Sequence, residues 1–243
     1  MKIKTSPKRT RANGQPRLLA KYSAVIFDLD GLILDTESIA RIAWRRSAAD
    51  FGFVLEDDLY EKLIGLVTLD IGKVLRDAFG PEFRAEEAIK RAYGHFDEYI
   101  EKNGIEIKPG FFEVVELLDK TGIPRAIATS SSKAFAGRKL AASGLIGRFN
   151  IVVCGDEVQN GKPAPDIFLA AAKKLEVEPQ DCLVFEDSDN GVKAAHKAGM
   201  TIILIPDLKQ PSKEIAQMAY KVYSSLLEAK PFVETIIGTT TNK

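Results

Sequence analysis

The stretch Ala24-Val25-Ile26-Phe27-Asp28-Leu29-Asp30-Gly31 begins as an apolar run and ends in two aspartates and a glycine. The run is rich in branched and aromatic side chains and too short for a helix, so it predicts a buried strand over Ala24–Asp28. Further runs of this kind also predict strands, and they are Arg125–Thr129, Asn150–Cys154, Cys182–Glu186 and Thr201–Ile205. The chain therefore carries a set of short, buried strands spread along most of its length.

Helical segments separate the later strands. Apolar residues recur there at the spacing of an amphipathic helix, in Lys133–Ser143, Pro165–Leu175 and Asn190–Ala198. Strands that alternate with helices form parallel sheets that carry helices on both faces. We therefore predict an α/β fold, with a Rossmann-like three-layer core around a five- to six-stranded, mostly parallel sheet.

The connection between the first and second strands is much longer than the others. About 100 residues lie between these two strands, although such a connection usually needs only a few. Most of this stretch has helical spacing of apolar residues, and glycines and prolines interrupt it. We expect a helical insert over residues 36–105, within a core formed by residues 23–35 and 106–237.

Two tails flank this predicted core, residues 1–22 and 238–243. The first tail carries seven lysines and arginines and no acidic residue, and it lacks the apolar segment of a secretory signal. Its composition predicts a solvated, disordered tail, with an organelle transit peptide or a tether to an anionic surface as alternatives. We expect the final tail to be disordered as well.

The composition argues against several classes of protein. The chain has 243 residues, 45% of them hydrophobic and 28% charged, with a formal net charge of +0. These values are typical of a globular protein and give no positive field for nucleic acid. No apolar stretch approaches the roughly 20 residues of a membrane helix. Both cysteines, Cys154 and Cys182, lie in apolar runs, so we expect free buried thiols and a cytoplasmic location, without nucleic-acid or membrane partners.

Polar residues that follow the predicted strands define a candidate site. In open parallel sheets, ligands bind beyond the carboxyl ends of the strands, so the residues at these positions are expected to converge. In chain order they are Asp28, Asp30, Thr129, Ser130, Lys162, Glu186 and Asp187.

This set of residue types has a chemical logic. Asp28 and Asp30 are two positions apart, so in an extended chain their side chains point to the same side. Crowded carboxylates repel one another, and a set of hard oxygen ligands suits Mg²⁺. Lys162 adds positive charge and Thr129 adds a hydroxyl donor, which allows an anion to approach a carboxylate nucleophile. The pattern is typical of phosphoryl transfer.

Four short motifs carry a resemblance to a known family. They are Phe27-Asp28-Leu29-Asp30-Gly31, Ala128-Thr129-Ser130, Gly161-Lys162-Pro163 and Phe185-Glu186-Asp187-Ser188. In this order they resemble the motifs of the haloacid dehalogenase superfamily, and the resemblance spans residues 23–237. The position of the insert resembles the C1-capped branch, which includes phosphatases, haloacid dehalogenases and β-phosphoglucomutase. Members of that branch are often monomers, so we expect a monomer.

The resemblance implies a role for each residue of the site. Asp28 would attack phosphorus and carry an aspartyl-phosphate, and Asp30 would protonate the leaving oxygen and then accept a proton from water. The transferred phosphoryl group would be held by Thr129, Ser130 and Lys162. Mg²⁺ would be bound by Asp28, by Asp30 through its backbone carbonyl, and by Asp187 directly or through water, with Glu186 assisting.

Individual positions separate the reactions of the branch. Family dehalogenases lack an aspartate at the position of Asp30, which argues against dehalogenation here. Mutases of the β-phosphoglucomutase type have a histidine where this chain has Ala40 and an arginine where it has Leu69. Hydrolysis is therefore favoured over a phosphosugar mutase. A third reading is a receiver-like or non-catalytic phospho-binding regulator, against which the insert and the complete motifs argue.

The predicted cap loop, residues 63–70, bears on the substrate. It would contact the leaving group through Gly65, Thr68 and Leu69, and it is unusually apolar. We therefore expect a small monophosphorylated metabolite, such as a sugar or polyol phosphate, as the partner. Trp44 is expected in the core of the insert or in a wall of the substrate chamber.

Overall fold

A single parallel sheet organises the molecule, in a computed structural model that describes residues 22–64, 66 and 68–237. Its strands are β1 (Ala24–Phe27), β2 (Arg125–Thr129), β3 (Val152–Cys154), β4 (Cys182–Glu186), β5 (Thr201–Leu204) and β6 (Lys221–Val222). The order across the sheet is β3-β2-β1-β4-β5-β6, and every neighbouring pair is parallel. The predicted α/β fold and the predicted strands are confirmed, with ends that differ by at most two residues.

Helices connect the strands and extend the chain. In the described residues they are α1 (Thr36–Asp50), α2 (Asp57–Leu63), α3 (Thr68–Phe79), α4 (Ala85–Asn103), α5 (Phe111–Thr121), α6 (Lys133–Ala142), α7 (Asp166–Leu175), α8 (Asp189–Lys197), α9 (Lys213–Met218) and α10 (Leu226–Ile237). None of the helices in this part of the chain is long and apolar enough to cross a membrane.

The central strand β1 shows why both faces of the sheet carry helices. Val25 and Phe27 pack into a cluster that includes side chains of α5, α6 and α10. Ala24 and Ile26 face the opposite side and pack with side chains of α7, α8 and α9. All four residues of β1 are fully buried. A strand buried on both faces is a continuous apolar run, which is the pattern that the sequence displays.

The helices α1 to α4 surround an apolar cluster of their own. Trp44, Tyr60 and Leu75 belong to this third cluster, which is separate from the two that cover the sheet. Helices α1 and α4 approach closely, and the buried Ser47 hydroxyl donates a hydrogen bond to the carbonyl of Ala88 at 2.7 Å. We call α1 to α4 the helical insert. These helices fall within residues 36–105, and the division into a core domain and a cap domain stays a prediction.

Some features of the fold lie beyond the sequence-based expectations. Tyr22, placed in the first tail by its sequence, is only 2% exposed and packs in the core. Strand β6 is two exposed residues long, and α10 contains Pro231, so neither has a regular sequence pattern. Helix α10 reaches α5 at Gly110, where φ is +92° and an added Cβ would overlap the backbone of Leu227. The other residues of both predicted tails lie outside the described residues.

Candidate active site

The carboxyl ends of β1, β2 and β4 converge at one edge of the sheet. Asp28 directly follows β1, and its amide donates a hydrogen bond to the carbonyl of Phe185 at 3.0 Å. Thr129 ends β2 and Glu186 ends β4, and both are fully buried. Asp28 is 6% exposed. The sheet therefore places these polar groups where little water can solvate them.

The turn that follows β1 allows the side chain of Asp187 to approach the backbone beside Asp30. Gly31 has a φ of +80°, and an added Cβ there would overlap the carboxylate of Asp187. The Gly31 amide also donates to the carbonyl of Leu34 at 2.9 Å, which closes the turn. Only a glycine combines this backbone conformation with such a close approach. The consequence is that the Asp187 carboxylate rests against the backbone that follows Asp30.

Lys162 pairs with the nucleophile candidate from the opposite side. Its ammonium group, on a side chain only 4% exposed, contacts the Asp28 carboxylate and donates to Glu186 Oε1 at 2.6 Å. It also donates to the carbonyl of Ala128 at 3.0 Å. Burial alone would lower the pKa of Lys162, but the two carboxylates raise it above its ordinary value. The lysine is therefore a fixed positive charge.

The second oxygen of Glu186 is also occupied. Oε2 accepts hydrogen bonds from the amides of Asp187 and Ser188 at 2.9 and 3.0 Å, and from the Ser188 hydroxyl at 3.1 Å. A Cβ on Gly191 would overlap this carboxylate, so helix α8 packs directly on it. The Glu186 side chain is thus held in one orientation, facing Lys162.

Asp30 has a separate set of partners. Lys139 of α6, itself 1% exposed, contacts Asp30 Oδ1. The hydroxyls of Thr129 and Ser131 donate to Oδ2 at 3.1 and 2.9 Å. Burial would raise the pKa of Asp30, but Lys139 and the two hydroxyls together hold it below its usual value.

The carboxylates around Lys162 carry more negative charge than the lysine neutralises. Burial raises the pKa of Asp28 to about 7 against the opposing effect of Lys162, and Glu186 and Asp30 add to the rise. Burial, followed by Glu186 and Asp28, also raises the pKa of Asp187 well above its ordinary value. The buried Asp28 and Glu186 and the partly buried Asp187 thus face one lysine whose side chain is buried, and this excess of negative charge fits a divalent cation.

The number of protein oxygen ligands at the site also fits Mg²⁺. Within residues 22–64, 66 and 68–237, no three or more His, Cys, Asp or Glu side chains form a ready-made metal cage. Mg²⁺ does not require one, because it typically binds one or two carboxylates and keeps water and phosphate oxygens as its other ligands. Asp28 and Asp187, with the backbone beside Asp30, match that pattern.

A cavity of about 730 Å³ opens beside Asp30, between the core and the helical insert. From the core it is lined by Asp30, Ser130, Ser131, Phe135, Arg138 and Lys139, among others. The insert contributes an aromatic wall that includes Trp44, Tyr93 and Phe96, with Ala40 beside it. The volume is in the range of small-molecule sites. Trp44 therefore belongs to the cluster of the insert and also faces the cavity.

One acid of the cavity comes from the insert itself. Glu37, in the first turn of α1, accepts a hydrogen bond from the Tyr60 hydroxyl at 3.3 Å, and the same hydroxyl donates to the Glu37 carbonyl at 3.1 Å. Burial raises the pKa of Glu37 to about 7, with the charges of Asp30 and Asp207 as further causes. The cavity therefore offers an acceptor, or a weakly acidic donor, close to Asp30.

The structure brings most of the sequence-predicted residues together and adds others. Ser130 is exposed in the cavity, whereas the Thr129 hydroxyl is buried against Asp30. Gly65 lies outside the described residues, and α3 begins at Thr68, where the side chains of Thr68 and Leu69 are likewise outside them. The residues that sequence reasoning missed are Glu37, Ser131, Lys139 and Asp207, which pairs with Lys108.

The sequence around Lys139 contains a pattern that could have identified it as a buried residue. It lies on the same face of α6 as Ala136 and Leu140, and all three are buried. A lysine within the apolar stripe of a short helix has to find a partner in the interior. Asp207 follows β5, so it stands at the sheet edge where the other acids were sought.

Comparisons with known proteins agree with this geometry. The profile of the haloacid dehalogenase-like hydrolase family matches residues 25–205. A probable pseudouridine-5'-phosphatase of Drosophila melanogaster is 36% identical over 221 residues, covering 88% of this chain and 94% of the relative. A phosphorylated carbohydrates phosphatase of Thermotoga maritima is 35% identical over 181 residues, covering 73% of this chain and 82% of the relative.

A solved structure extends the likeness to the whole fold. A candidate beta-phosphoglucomutase from Thermotoga maritima superposes with a TM-score of 0.75 at 30% identity, covering 88% of this chain and 99% of that one. The fold and the motifs thus define a hydrolase with an aspartate at the end of its first strand. The chain belongs to the haloacid dehalogenase-like hydrolase family, and it is a phosphoric monoester hydrolase.

Proposed function

We propose that the protein is a Mg²⁺-dependent phosphatase that hydrolyses small monophosphorylated metabolites, of the sugar or polyol phosphate type. The observation that carries this proposal is the crowding of Asp28, Glu186 and Asp187 around Lys162, which leaves a negative charge for a cation to neutralise. The relatives with named activities act on phosphate esters, which supports the reaction class.

The reaction proceeds in two displacements at phosphorus. In the first, Asp28 attacks the phosphorus, the bond from phosphorus to the ester oxygen breaks, and Asp30 gives a proton to the departing oxygen. The product is an aspartyl-phosphate on Asp28 and a free alcohol. In the second, water attacks the phosphorus, Asp30 takes a proton from that water, and inorganic phosphate leaves with Asp28 restored.

The remaining residues hold charge in position. Lys162 neutralises the approaching phosphoryl group, and Glu186 orients Lys162 through its occupied carboxylate. Ser130, exposed in the cavity, is suited to donate to a phosphate oxygen, while Thr129 acts mainly through Asp30. We therefore propose Glu186 as a positioning residue, in place of the assisting role at the metal that the sequence predicts.

Asp28, Asp187 and the Asp30 backbone carbonyl would hold the Mg²⁺. When bound, the ion supplies positive charge that offsets the charge of the phosphoryl group and of the nucleophile. Asp30 keeps its carboxyl group free of the metal in this arrangement, so that it can exchange protons with the leaving oxygen and with water.

The shape of the cavity supports an uncharged leaving group. Its aromatic wall of Trp44, Tyr93 and Phe96 offers apolar surface, and Glu37 offers an acceptor for hydroxyl groups. A sugar or polyol has both features, because its ring or chain carbons pack on apolar faces while its hydroxyls need acceptors. We propose that the helical insert acts as the cap that covers this site.

A phosphosugar mutase is the second candidate, because a solved structure assigned to that activity shares the fold. Ala40 speaks against it, since the small apolar side chain in the cavity wall offers no proton acceptor where mutases carry a histidine. Dependence of turnover on a catalytic bisphosphate would support the mutase, and release of inorganic phosphate without it would support the phosphatase.

The test combines a substrate panel with two interventions. The wild type is expected to release phosphate from sugar and polyol monophosphates in the presence of Mg²⁺. Asp28→Asn, and reversible removal of the metal with EDTA, should each abolish this release. Asp77→Asn, which changes an exposed acid of α3, is the matched control and should retain full activity. Undiminished activity of Asp28→Asn would overturn the proposal.

Two further expectations belong to the proposal. A monomer in solution would elute near 26.7 kDa in size-exclusion chromatography coupled to light scattering. A cytoplasmic location, expected from the free buried thiols Cys154 and Cys182, is tested by cell fractionation.

A further inference from the structure

Lys139 is a buried charge that the proposed reaction does not yet use. It is among the largest side chains that are fully buried in the described residues. Its ammonium group lies 4.3 Å from the centre of the Phe135 ring, and Phe135 in turn packs against Phe96 of the insert at 5.4 Å between ring centres. A lysine enclosed in this way requires strong polar partners, because burial of an unpaired ammonium is very unfavourable.

In the part of the chain that the structure describes, the polar partners of the Lys139 ammonium group are Asp30 and Ser131. Lys139 contacts Asp30 Oδ1 and donates to the Ser131 hydroxyl at 2.6 Å. The Ser131 hydroxyl in turn donates a hydrogen bond to Asp30 Oδ2 at 2.9 Å. Lys139 of α6 therefore fixes one oxygen of Asp30, and Ser131 fixes the other together with Thr129 at the end of β2. Asp30, Ser131 and Lys139 all line the cavity, where the leaving group of a substrate would lie.

We propose that Lys139, together with Ser131, is a positioning residue that orients the Asp30 carboxyl group toward the leaving oxygen. This inference rests on the proposed function and goes beyond it, because it adds a residue outside the four motifs. Lys139 acts through Asp30, and no bond to it forms or breaks. Asp30 receives the proton of the incoming phosphate monoanion and passes it to the leaving oxygen, and the proton from the hydrolytic water passes through Asp30 to the departing inorganic phosphate.

This role predicts an effect that depends on the leaving group. An alkoxide is a poor leaving group and needs a well-placed acid, whereas p-nitrophenolate departs without a proton. The ratio kcat/KM reports the steps up to transfer of the phosphoryl group to Asp28, which include the departure of the leaving group. Loss of orientation at Asp30 should therefore lower kcat/KM for alkyl esters and leave the aryl ester little changed.

The experiment compares Lys139→Met with the wild type on p-nitrophenyl phosphate and on the most rapidly hydrolysed of glycerol phosphate, glucose phosphate and ribose phosphate. We expect kcat/KM for the alkyl ester to fall about 100-fold, within the range attributed to a general acid, and that for the aryl ester to fall by less than about threefold. Lys139→Arg, which keeps the charge, should recover part of the alkyl activity. The exposed Lys120→Met on α5 is the matched control and should match the wild type.

Ser131→Ala provides a milder variant, should Lys139→Met fail to fold, and it is expected to show the same selectivity with a smaller loss. An equal loss on both esters in the folded variants would mean a structural role and would overturn the inference. Retention of full alkyl activity by Lys139→Met or Ser131→Ala would overturn it as well. A wild type that hydrolyses neither ester would contradict the proposed function instead.

Discussion

Asp28 and Asp30 lie two positions apart and each contacts a buried lysine, yet their pKa values shift in opposite directions. The pKa of Asp28 rises to about 7, whereas that of Asp30 falls below its ordinary value. Burial acts on both in the same sense and raises the pKa of each. The difference therefore comes from the groups that surround them.

The two surroundings differ in their balance of charge. Lys162 is shared by Asp28 and Glu186, with Asp187 close by, so three acids depend on one lysine. Among the acids that the structure describes, Asp30 is the one that pairs with Lys139, and two hydroxyls also donate to that carboxylate. The first group carries more negative charge than Lys162 neutralises, whereas in the second Lys139 balances the charge of Asp30. The acids around Lys162 are thus suited to bind a cation, whereas the pair of Asp30 and Lys139 has no excess charge for a cation to neutralise.

The largest expected difference between the two groups is the loss of stability when each buried lysine is replaced. Lys162→Met leaves Asp28 and Glu186 buried without a counter-charge, which is expected to lower the free energy of unfolding by about 3–5 kcal/mol. Lys139→Met leaves one carboxylate that still accepts two hydroxyl hydrogen bonds, so its loss of stability should be smaller. Urea unfolding of both variants measures the difference, with Lys120→Met as the control. Equal losses would contradict the proposed imbalance.

The metal-free protein should lose stability as the pH rises. The pKa of Asp28 is about 7 in the folded protein and that of Asp187 is also raised, whereas both would ionise near pH 4 in the unfolded chain. Between about pH 4 and pH 7 the folded state therefore binds more protons, and its stability falls as the pH increases.

Mg²⁺ should reverse this loss. With EDTA as the reference, near-saturating Mg²⁺ is expected to raise Tm by about 5 °C or more at pH 8 and by about half as much at pH 6. Differential scanning calorimetry at both values measures the effect. The same increase at both pH values, or a larger one at the lower pH, would argue against ionised carboxylates as the ligands.

The smallest expected effect concerns the cavity rather than the lysines. Glu37→Gln keeps the shape of the side chain and removes its charge, so KM for a sugar or polyol phosphate should rise a fewfold with little change in kcat, as expected for the loss of one hydrogen bond of about 1 kcal/mol. The constants for p-nitrophenyl phosphate, which lacks hydroxyls, should not change. Steady-state kinetics on both esters distinguishes this from a general disturbance of the site.

The sequence allowed much of the core to be predicted, for a physical reason. Each central strand is buried on both faces, so it appears as an apolar run, and the acids of the site follow such runs directly. Strand β6 has no such run because both of its residues are exposed, and α10 contains Pro231, which is unusual within a helix. The pattern of apolar residues therefore predicted the central strands better than it predicted β6 and α10.

The partners of the site were harder to predict than its motifs. Lys162 and Asp187 belong to motifs at strand ends, whereas Lys139 comes from the middle of a helix and reaches Asp30 only after α6 has packed on the sheet. Glu37 looks like an ordinary acid in the first turn of a helix, and its contact with Tyr60 joins two helices of the insert. Such contacts depend on tertiary packing, which spacing along the chain does not encode.

Titration of Mg²⁺ into the metal-free protein at pH 8, followed by calorimetry, tests the charge comparison most directly. The wild type should bind one ion, and Asp187→Asn should bind it at least about tenfold more weakly, since a ligand and a charge are lost. Asp30→Asn should bind nearly as tightly as the wild type, because Asp30 contributes its backbone carbonyl. Equal affinities for Asp187→Asn and the wild type, or a larger loss for Asp30→Asn, would contradict the account.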